Sequence, residues 1–560
     1  DGMYASFDGN DQTLLVSSQN GNTNRLTLRS FQRQSITVSS PAAVSPKPGE
    51  PALRWYWTAP IVVSHFSPQV IYTAANRLFR SPDQGRTWQP ISPDLTAQIN
   101  RDQLTMMGAP IPAHAFSKND GQDNFSAITT LAESPLDAKL LYTGADDGTL
   151  QVTRDGGAHW TNVTHNLTGL PPMSNVSSIV ASQYSASRVY ATFDAHFNDD
   201  YHPYVFESDD YGATWRAIAS GLPESSVHRL RENPDHEDFL VAGLEDGVYC
   251  SRDRGQHWEV LDPDMPPMPV YDLVYQASTH DLVLGTHGRG IWVFDHFGAQ
   301  AALTPAMLSG PAQLLPTPPA HRETIYTPQA WYGAGEFFAP NPASGADISF
   351  VLPPTASGEA TVSVNDSAGQ LVRDFHVTAK PGLNHVMWDL HYNQAGPTAA
   401  PGRYAVKLAV GAAPAVTGSF EIVPDPASTL SPADAARRQT ELMAAYRLAL
   451  DLAPAREAAN LAIEQLTALR PFAADAAAAV AQLTPAAGEL ARLTAQASSL
   501  QRAMDGYEGL PTAQQSEQLA TLRQQAHAAV LDLNLRLAAI HIAPQWHAPP
   551  PLNVPASGSL

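Results

Sequence analysis

Four copies of one short pattern constrain the fold of this chain more than any other feature of its sequence. The pattern is Ser/Thr-x-Asp-x-Gly-x-Thr/His-Trp, and the copies begin at Ser81, Thr153, Ser208 and Ser251. The aspartate can accept hydrogen bonds from the backbone of a tight turn, the glycine permits a positive φ, and the tryptophan anchors the next strand. We call each copy a box turn and predict that it joins two strands in a structural role. The predicted structural residues are Asp83, Trp88, Asp155, Trp160, Asp210, Trp215, Asp253 and Trp258.

The spacing of the box turns predicts a repeat architecture. They recur at intervals near or above the roughly 40–50 residues that one blade of a β-propeller takes. Ahead of the boxes, Asp147-Gly148 and Asp246-Gly247 each separate two apolar, strand-like runs, which is a strong hairpin signal. Weaker copies without a box surround Asn20 and His287. We therefore predict six blades, beginning near residues 1, 55, 122, 175, 225 and 268. We expect them to belong to a seven-bladed ring whose last blade is completed by missing or unrecognised sequence.

Charge and composition exclude several classes of protein. The chain has 33 basic and 54 acidic residues and a net charge of -21, so its surface repels nucleic-acid phosphates and anionic membranes. No stretch of about 18 apolar residues occurs, which predicts that nothing inserts into a membrane. The single cysteine, Cys250, excludes an intrachain disulfide. Because the sequence opens on Asp1 within a strand-like region, we interpret it as the C-terminal portion of a longer protein.

The boxes, together with residues 76–95 and 285–295, resemble a known group. They are similar to bacterial Asp-box (BNR-repeat) β-propeller proteins of the sortilin/VPS10-like group, which are often labelled "glycosyl hydrolase". The resemblance implies a mainly β chain in which propellers precede a sandwich and helices. It also implies a periplasmic, outer-surface or secreted location. An upstream propeller of the same precursor, or a second copy of the chain, remains open as a partner.

Patterning along the rest of the chain predicts two further domains. Short alternating strands with Trp388 and Tyr404 in the core predict an immunoglobulin-like β-sandwich. Helical spacing of apolar residues, seen at Leu442, Tyr446 and Leu450, predicts three or four helices, the first kinked or ended by Pro454. The predicted domains are 1–297, an Asp-box β-propeller; 298–334, a Pro-rich linker; 335–425, the sandwich; 428–543, a helical bundle; and 544–560, an extended tail.

In the propellers that this chain resembles, ligands bind on the face opposite the boxes. The insertion at residues 194–202 is predicted to overhang that face, where His196 and His202 flank two aspartates that would suit a metal. The many carboxylates would suit Ca²⁺ or, if two lie about 5–10 Å apart, glycoside hydrolysis, whereas Asp-Gly pairs also simply make good turns. The candidate binding residues are Asn76, Arg77, Asp146, Asp147, His196, Asp199, Asp200, Glu245, Asp246, His287 and Arg289.

Two functions from different classes compete. The first is an extracytoplasmic binding or scaffold protein that recognises a peptide, a protein or an assembly partner and needs no cofactor. The second is a glycoside hydrolase, similar to two-propeller xyloglucanases, with a polysaccharide in a cleft shared with a missing upstream propeller. No segment matches the catalytic segments of those enzymes, and the Arg-Ile-Pro motif of sialidases is missing. The sequence therefore favours binding and names no catalytic residue.

Overall fold

The computed structural model describes residues 3–9, 12–39, 52–106, 108–116, 124–277, 279–295, 297–322, 344–393, 395–425, 428–469, 474–541 and 549–555. These residues form two compact units, Asp1–Thr304 and Pro305–Leu560. None of the described helices has the length and apolar character that a membrane span requires. Several sequence predictions, among them the last part of the Pro-rich linker at residues 323–334 and the tail at residues 544–548 and 556–560, lie outside the described residues.

The first unit is built from successive antiparallel sheets whose strands follow one another in chain order. We call these sheets blades. Blade 1 contains β1 (Ala5–Phe7), β2 (Thr13–Ser18), β3 (Asn22–Thr27) and β4 (Gln32–Ser35), and blade 2 contains β5 (Ile61–Ser64), β6 (Ser67–Ala74), β7 (Leu78–Ser81) and β8 (Gln89–Pro90). A small two-stranded pair follows, β9 (Thr105–Met106) and β10 (Ala109–Pro110). Blade 3 then contains β11 (Ile128–Glu133), β12 (Leu141–Ala145), β13 (Leu150–Thr153) and β14 (Thr161–Asn162).

Blades 4 to 6 continue the series. Blade 4 contains β15 (Asn175–Ala181), β16 (Val189–Asp194), β17 (Tyr204–Ser208) and β18 (Arg216–Ala217). Blade 5 contains β19 (Val227–Glu232), β20 (Leu240–Leu244), β21 (Val248–Ser251) and β22 (Glu259–Val260). Blade 6 contains β23 (Val270–Gln276), β24 (Asp281–Thr286) and β25 (Ile291–Phe294), and the short helix α1 (Phe297–Ala301) follows it. Successive four-stranded sheets of this kind are the building blocks of a β-propeller.

Neighbouring blades pack face to face through apolar side chains. Blade 5 buries Val241 and Val248 in one cluster with Leu273 and Leu284 of blade 6, and equivalent clusters join each earlier pair of blades. Since apolar burial contributes about 25 cal/mol per Å², these interfaces are the main source of stability in the unit. The described residues of this unit thus form a mainly β, propeller-like arrangement of six blades, and a seventh blade remains a prediction.

Blade 6 differs from its predecessors because one of its faces is open. Ile291 and Val293 pair with β24 as Val248 and Cys250 pair with β20, so the two pairs of residues occupy equivalent positions. Val248 and Cys250 are 3% and 1% exposed, whereas Ile291 and Val293 are 76% and 50% exposed. In each earlier blade the next blade covers the apolar side chains at these positions, whereas on blade 6 they face solvent.

Each box turn has the same hydrogen-bond pattern. In the fourth copy, Ser251 Oγ donates to Asp253 Oδ1 over 2.9 Å, and the same carboxylate oxygen accepts the His257 backbone N–H. The Gly255 N–H donates to Ser251 Oγ, with Gly255 at φ 79°. The turn therefore satisfies its polar groups internally, as expected for a structural element.

In three of the four boxes the tryptophan bonds back to the preceding blade, whereas Nε1 of Trp215, in the third box, has no hydrogen-bond partner among the described residues. Trp258 Nε1 donates to the carbonyl of Ile218 over 2.7 Å, and Trp88 Nε1 donates to that of Ile36 over the same distance. Trp160 makes the equivalent bond to Ile91 over 3.4 Å and is less buried. Each of these acceptors follows the outermost strand of the previous blade, so the box links two blades as well as two strands.

The second unit combines two sheets with three long helices. After α2 (Pro305–Ser309), its strands are β26 (Gln313–Leu314), β27 (Ala320–His321), β28 (Ala346–Leu352), β29 (Glu359–Asn365), β30 (Leu371–Thr378), β31 (Gly382–Trp388), β32 (Gly402–Val410) and β33 (Val416–Val423). The sheet orders are β26-β28-β31 and β27-β33-β32-β29-β30. Trp388 and Tyr404 are buried in the core that these strands share, where the sequence analysis placed them.

The helices lie at the C-terminal end, as the helical spacing predicted. They are α3 (Pro432–Leu469), α4 (Ala474–Asp505) and α5 (Ala513–Ala539). The prediction for Pro454 was wrong in one respect, because α3 does not end there but continues to Leu469. Leu452, Ala455 and Ala459 are buried in the core of the bundle, and this packing on both sides of the proline favours continuation of the helix.

Candidate functional site

In blades 2 to 5 the strand register places two kinds of turn at opposite ends. In blade 5, Leu244 at the end of β20 lies next to Val227 at the start of β19, while the box turn follows the far end of β21. We call the end that holds the turns between second and third strands the site end, and the other the box end. Side chains from several blades can meet at the site end because every first strand starts there.

Blades 4 and 5 bring two carboxylates and two imidazoles together at the site end. Asp194 Oδ2 lies 2.6 Å from His196 Nδ1 and 3.9 Å from His228 Nδ1. On its other side, His228 Nε2 lies 2.6 Å from Glu245 Oε2. The side chains of Asp194 and His228 are 5% and 7% exposed, whereas that of Glu245 is 49% exposed. We call these four residues the charge cluster; it is buried at its centre and reaches solvent through Glu245.

Blade 6 adds aromatic rings beside the charge cluster. The Tyr271 ring stacks on His228, with ring centroids 4.2 Å apart and planes inclined by 15°. His287 follows β24, and its ring lies 5.8 Å from that of Tyr271. Tyr271 is half exposed, so one apolar ring surface borders the exposed Glu245 carboxylate.

The electrostatics of the charge cluster are asymmetric. The hydrogen bond that His196 donates to the Asp194 carboxylate raises the pKa of His196 above its ordinary value; burial opposes this rise, and the Asp194 and Glu245 charges add to it. Burial alone would raise the pKa of Asp194, but hydrogen bonds from the His196 side chain and backbone outweigh it and lower that pKa. Burial and then the Glu245 and Asp194 charges raise the pKa of Tyr271. Asp194 is therefore held ionised, and the cluster remains negative whenever His196 is neutral.

Three residues chosen from the sequence are buried under loops of blades 2 and 3 instead. Asn76 accepts the Arg54 N–H through Oδ1 and donates to Asp94 through Nδ2. Asp147 accepts the backbone N–H groups of residues 97 and 149, and Asp146 accepts that of residue 127. Burial raises the pKa of Asp146 to about 8; backbone hydrogen bonds oppose this rise, and the Asp147 charge adds to it. In this structure these side chains hold loops in place.

The remaining predicted residues lie apart from the charge cluster or have local partners. Asp199 ends a single 3-10 turn in the left-handed region, at φ 59°. Asp200 accepts from the Tyr204 hydroxyl, and Asp246 accepts from the Tyr249 hydroxyl. Arg289 is exposed and Arg77 is partly buried, each just beyond a second strand. The structure thus brings His196, Glu245 and His287 together and leaves the others outside.

The prediction of a metal site in the insertion finds no support in the described residues. His202 Nδ1 lies 3.2 Å from Glu224 Oε1 and does not join His196. The part of the chain that the structure describes holds no group of three His, Cys, Asp or Glu residues arranged to bind a metal ion. Binding of Ca²⁺ remains an untested expectation.

Asp194, His228 and Tyr271 are not among the candidate residues predicted from the sequence. Asp194 is the last residue of β16, and His228 and Tyr271 are each the second residue of a first strand. The sequence does contain one signal for two of these residues. Aligning blades 5 and 6 places the His228 and Tyr271 rings at equivalent positions, each ahead of an apolar core residue of the same strand. Polar or aromatic residues repeated at the start of first strands point towards the site end.

Comparisons with known proteins give only distant structural likenesses. No family model matches the chain, and no curated protein matches it. A GH74 xyloglucanase from Xanthomonas campestris has 13% identity and a TM-score of 0.37, over 53% of this chain and 43% of that one. YCF48 from Cyanidioschyzon merolae has 15% identity and a TM-score of 0.34, over 52% and 80%. PorZ, a surface component of the type-IX secretion system of Porphyromonas gingivalis, has 12% identity and a TM-score of 0.35, over 76% and 51%. Likenesses this distant transfer no activity to this chain, which spans less than half of the xyloglucanase.

Proposed function

We propose that this chain is an extracytoplasmic binding protein whose charge cluster recognises a basic side chain of a peptide or protein partner. One observation carries the proposal: a buried Asp194–His228 pair continues to a half-exposed Glu245 beside the half-exposed ring of Tyr271. A carboxylate gives lysine or arginine a charge-assisted hydrogen bond, and an aromatic face adds about 0.5–2 kcal/mol for a cation. The extracytoplasmic location rests on the sequence resemblance alone.

The rigidity of the charge cluster supports recognition rather than incidental charge. His228 is held between two carboxylates and a stacked ring, so the geometry around Glu245 exists before a partner arrives. A preorganised site spends less binding free energy on ordering side chains. The net charge of -21 would also steer basic partners toward the molecule at low salt.

The glycoside hydrolase alternative has less support among the described residues. That chemistry needs an exposed carboxylic acid of raised pKa and a second carboxylate across a cleft. Asp146 has a raised pKa but is 5% exposed, so a sugar cannot reach it. The exposed Asp246 and the half-exposed Glu245 accept hydrogen bonds from Tyr249 and His228.

Fluorescence anisotropy with a labelled lysine/arginine-rich peptide tests the proposal on the full chain at low salt. Glu245→Gln removes the charge and keeps an acceptor for His228, so we expect about a tenfold loss of affinity, as for a lost charged hydrogen bond. Asp137→Asn is the matched control, because Asp137 is exposed in the turn between β11 and β12 at the box end.

Three outcomes would overturn the proposal. One is equal affinity of Glu245→Gln and Asp137→Asn for the basic peptide. Another is equal binding of the matched glutamate-rich peptide by the native chain. Turnover of xyloglucan, abolished by Glu245→Gln, would show instead that the charge cluster is catalytic.

A further inference from the structure

The second unit contains a cavity of about 390 Å³ between its sandwich and its helices. Its walls come from the end of β33, the segment that leads into β32, the first turns of α3, and Glu508 just after α4. Most of the lining is apolar, with Pro401, Pro424, Leu430 and Pro432 among its residues. A cavity of this size lies within the range of small-molecule sites, which combine apolar walls with few polar groups.

The structural role of Arg438 uses only part of its guanidinium group. Its Nε and Nη2 donate to the carbonyls of residues 504, 505 and 507, which end α4, and the side chain is 2% exposed. The structure gives Nη1 no acceptor among the described residues. Arg438 lines the cavity, and its nearest carboxylate, Asp505, is 3.8 Å from Nη2. A cation is therefore buried at the cavity wall, with Asp505 as an ion-pair partner at 3.8 Å and with Nη1 not used in any hydrogen bond to the described residues.

The other charges around the cavity leave Arg438 available. Arg322 Nη2 binds Glu508 Oε1 over 3.0 Å, so these two groups neutralise each other. Asp425 lines the cavity as well and has a partner of its own. Burial, and then the like charge of Arg322, lower the pKa of Arg438, so an anion in the cavity would stabilise its protonated form.

We propose that this cavity is a binding site for a small organic carboxylate with an apolar body. The carboxylate would accept hydrogen bonds from Arg438 Nη1, and the hydrocarbon part would lie against the prolines and Leu430. Arginine suits this role because its planar fork presents several donors to one carboxylate. The site lies in the second unit and is independent of the charge cluster in blades 4 to 6.

Isothermal titration of the full chain with hexanoate tests the proposal, with hexanol, hexylamine and acetate as matched probes. We expect saturable hexanoate binding at least about tenfold tighter than that of hexanol, because a charged hydrogen bond is lost in the alcohol. Acetate lacks the apolar body and should bind more weakly than hexanoate. Inorganic sulfate should fail to displace hexanoate.

Two variants separate binding from folding. Arg438→Met removes the donor but also removes the four hydrogen bonds that hold the end of α4. Ala435→Phe keeps Arg438 and fills the cavity that Ala435 lines, and it should weaken hexanoate at least about tenfold. Ala538→Phe, an exposed site on α5, is the matched control and should bind as the native chain does.

The proposal fails if hexanol or hexylamine binds as tightly as hexanoate, or if sulfate displaces it. It also fails if a folded Ala435→Phe variant binds hexanoate as well as Ala538→Phe does. Absence of saturable heat up to about 10 mM hexanoate would likewise overturn it, because binding weaker than this does not require a specific site.

Discussion

The two ends of the propeller blades use the same residue types in opposite ways. At the box end, Asp253 and His257 bond to each other and to their own turn, and Asp155 and His159 do the same. At the site end, Asp194 of blade 4 reaches across to His228 of blade 5, which also contacts Glu245 of its own blade. Repetition therefore marks structure here, whereas a constellation that occurs once among the described blades marks the candidate site.

This comparison would break if a box residue took part in binding. Trp258→Ala removes a nearly buried ring and its 2.7 Å bond, so we expect a loss of about 3–5 kcal/mol of local stability. Trp160→Ala should cost less, about 1–3 kcal/mol, because its ring is less buried and its bond is 3.4 Å long. Native-state hydrogen exchange of the strands in blades 5 and 3 measures both effects. Reduced affinity of fully folded Trp258→Ala for the basic peptide would contradict a purely structural box.

Asp146 refines the comparison between the two ends, because it is a carboxylate at the site end that nevertheless supports the structure. Its folded pKa of about 8 exceeds its ordinary value near 4, so the folded state keeps a proton that the unfolded state loses. The stability of the chain should therefore fall as pH rises from about 4 to 8. Asp146→Asn removes this titration and should add on the order of 2–4 kcal/mol at pH 7.

Urea unfolding at several pH values measures the Asp146 effect, with Asp137→Asn as the control. The control should follow the native pH profile, because Asp137 is exposed at the box end. An Asp146→Asn variant that unfolds at the native urea concentration at both pH 5 and pH 8 would show that burial of this carboxyl costs the fold nothing.

The smallest expected effect concerns His196 and the pH dependence of binding. Protonated His196 neutralises Asp194, so affinity for a basic peptide should rise as His196 loses its proton. Because Asp194 raises the pKa of His196, the midpoint should lie above about 6.5, with a change of roughly two- to fivefold. Anisotropy measured from pH 5.5 to about 8.5 tests this prediction.

His196→Gln should flatten that profile, while His65→Gln, an exposed imidazole between β5 and β6, should retain it. A native profile that persists in His196→Gln would show that another group carries the titration. The charged groups that act on His196 in this cluster are Asp194 and Glu245.

The sequence predicted the blades well because their signals are local. Box spacing and Asp-Gly turns placed blade starts near 175, 225 and 268, and the first strands begin at 175, 227 and 270. The open face of blade 6 was not predicted, since Ile291 and Val293 carry the same apolar alternation as covered strands do. Only the absence of a covering neighbour among the described residues distinguishes them.

The candidate site was predicted in part, for a related reason. Glu245 and His196 lie in polar turns, which the sequence marks, whereas His228 sits inside a strand where its role depends on two other blades. Asp146 looked like an exposed turn residue, yet it is buried, and its carboxylate accepts the backbone N–H of residue 127, which directly precedes the first strand of the same blade. Proximity between blades is set by long-range packing, which short sequence patterns do not record.

The backward direction of the tryptophan bonds has a consequence for synthesis. Ile36, Ile91 and Ile218 precede Trp88, Trp160 and Trp258 in the chain, so the ribosome delivers each acceptor before its donor. Chains fold from the N-terminal side while they are made. Each new blade can therefore dock onto one that has already left the exit tunnel. The propeller can in this way be assembled blade by blade before its last strand has been synthesised.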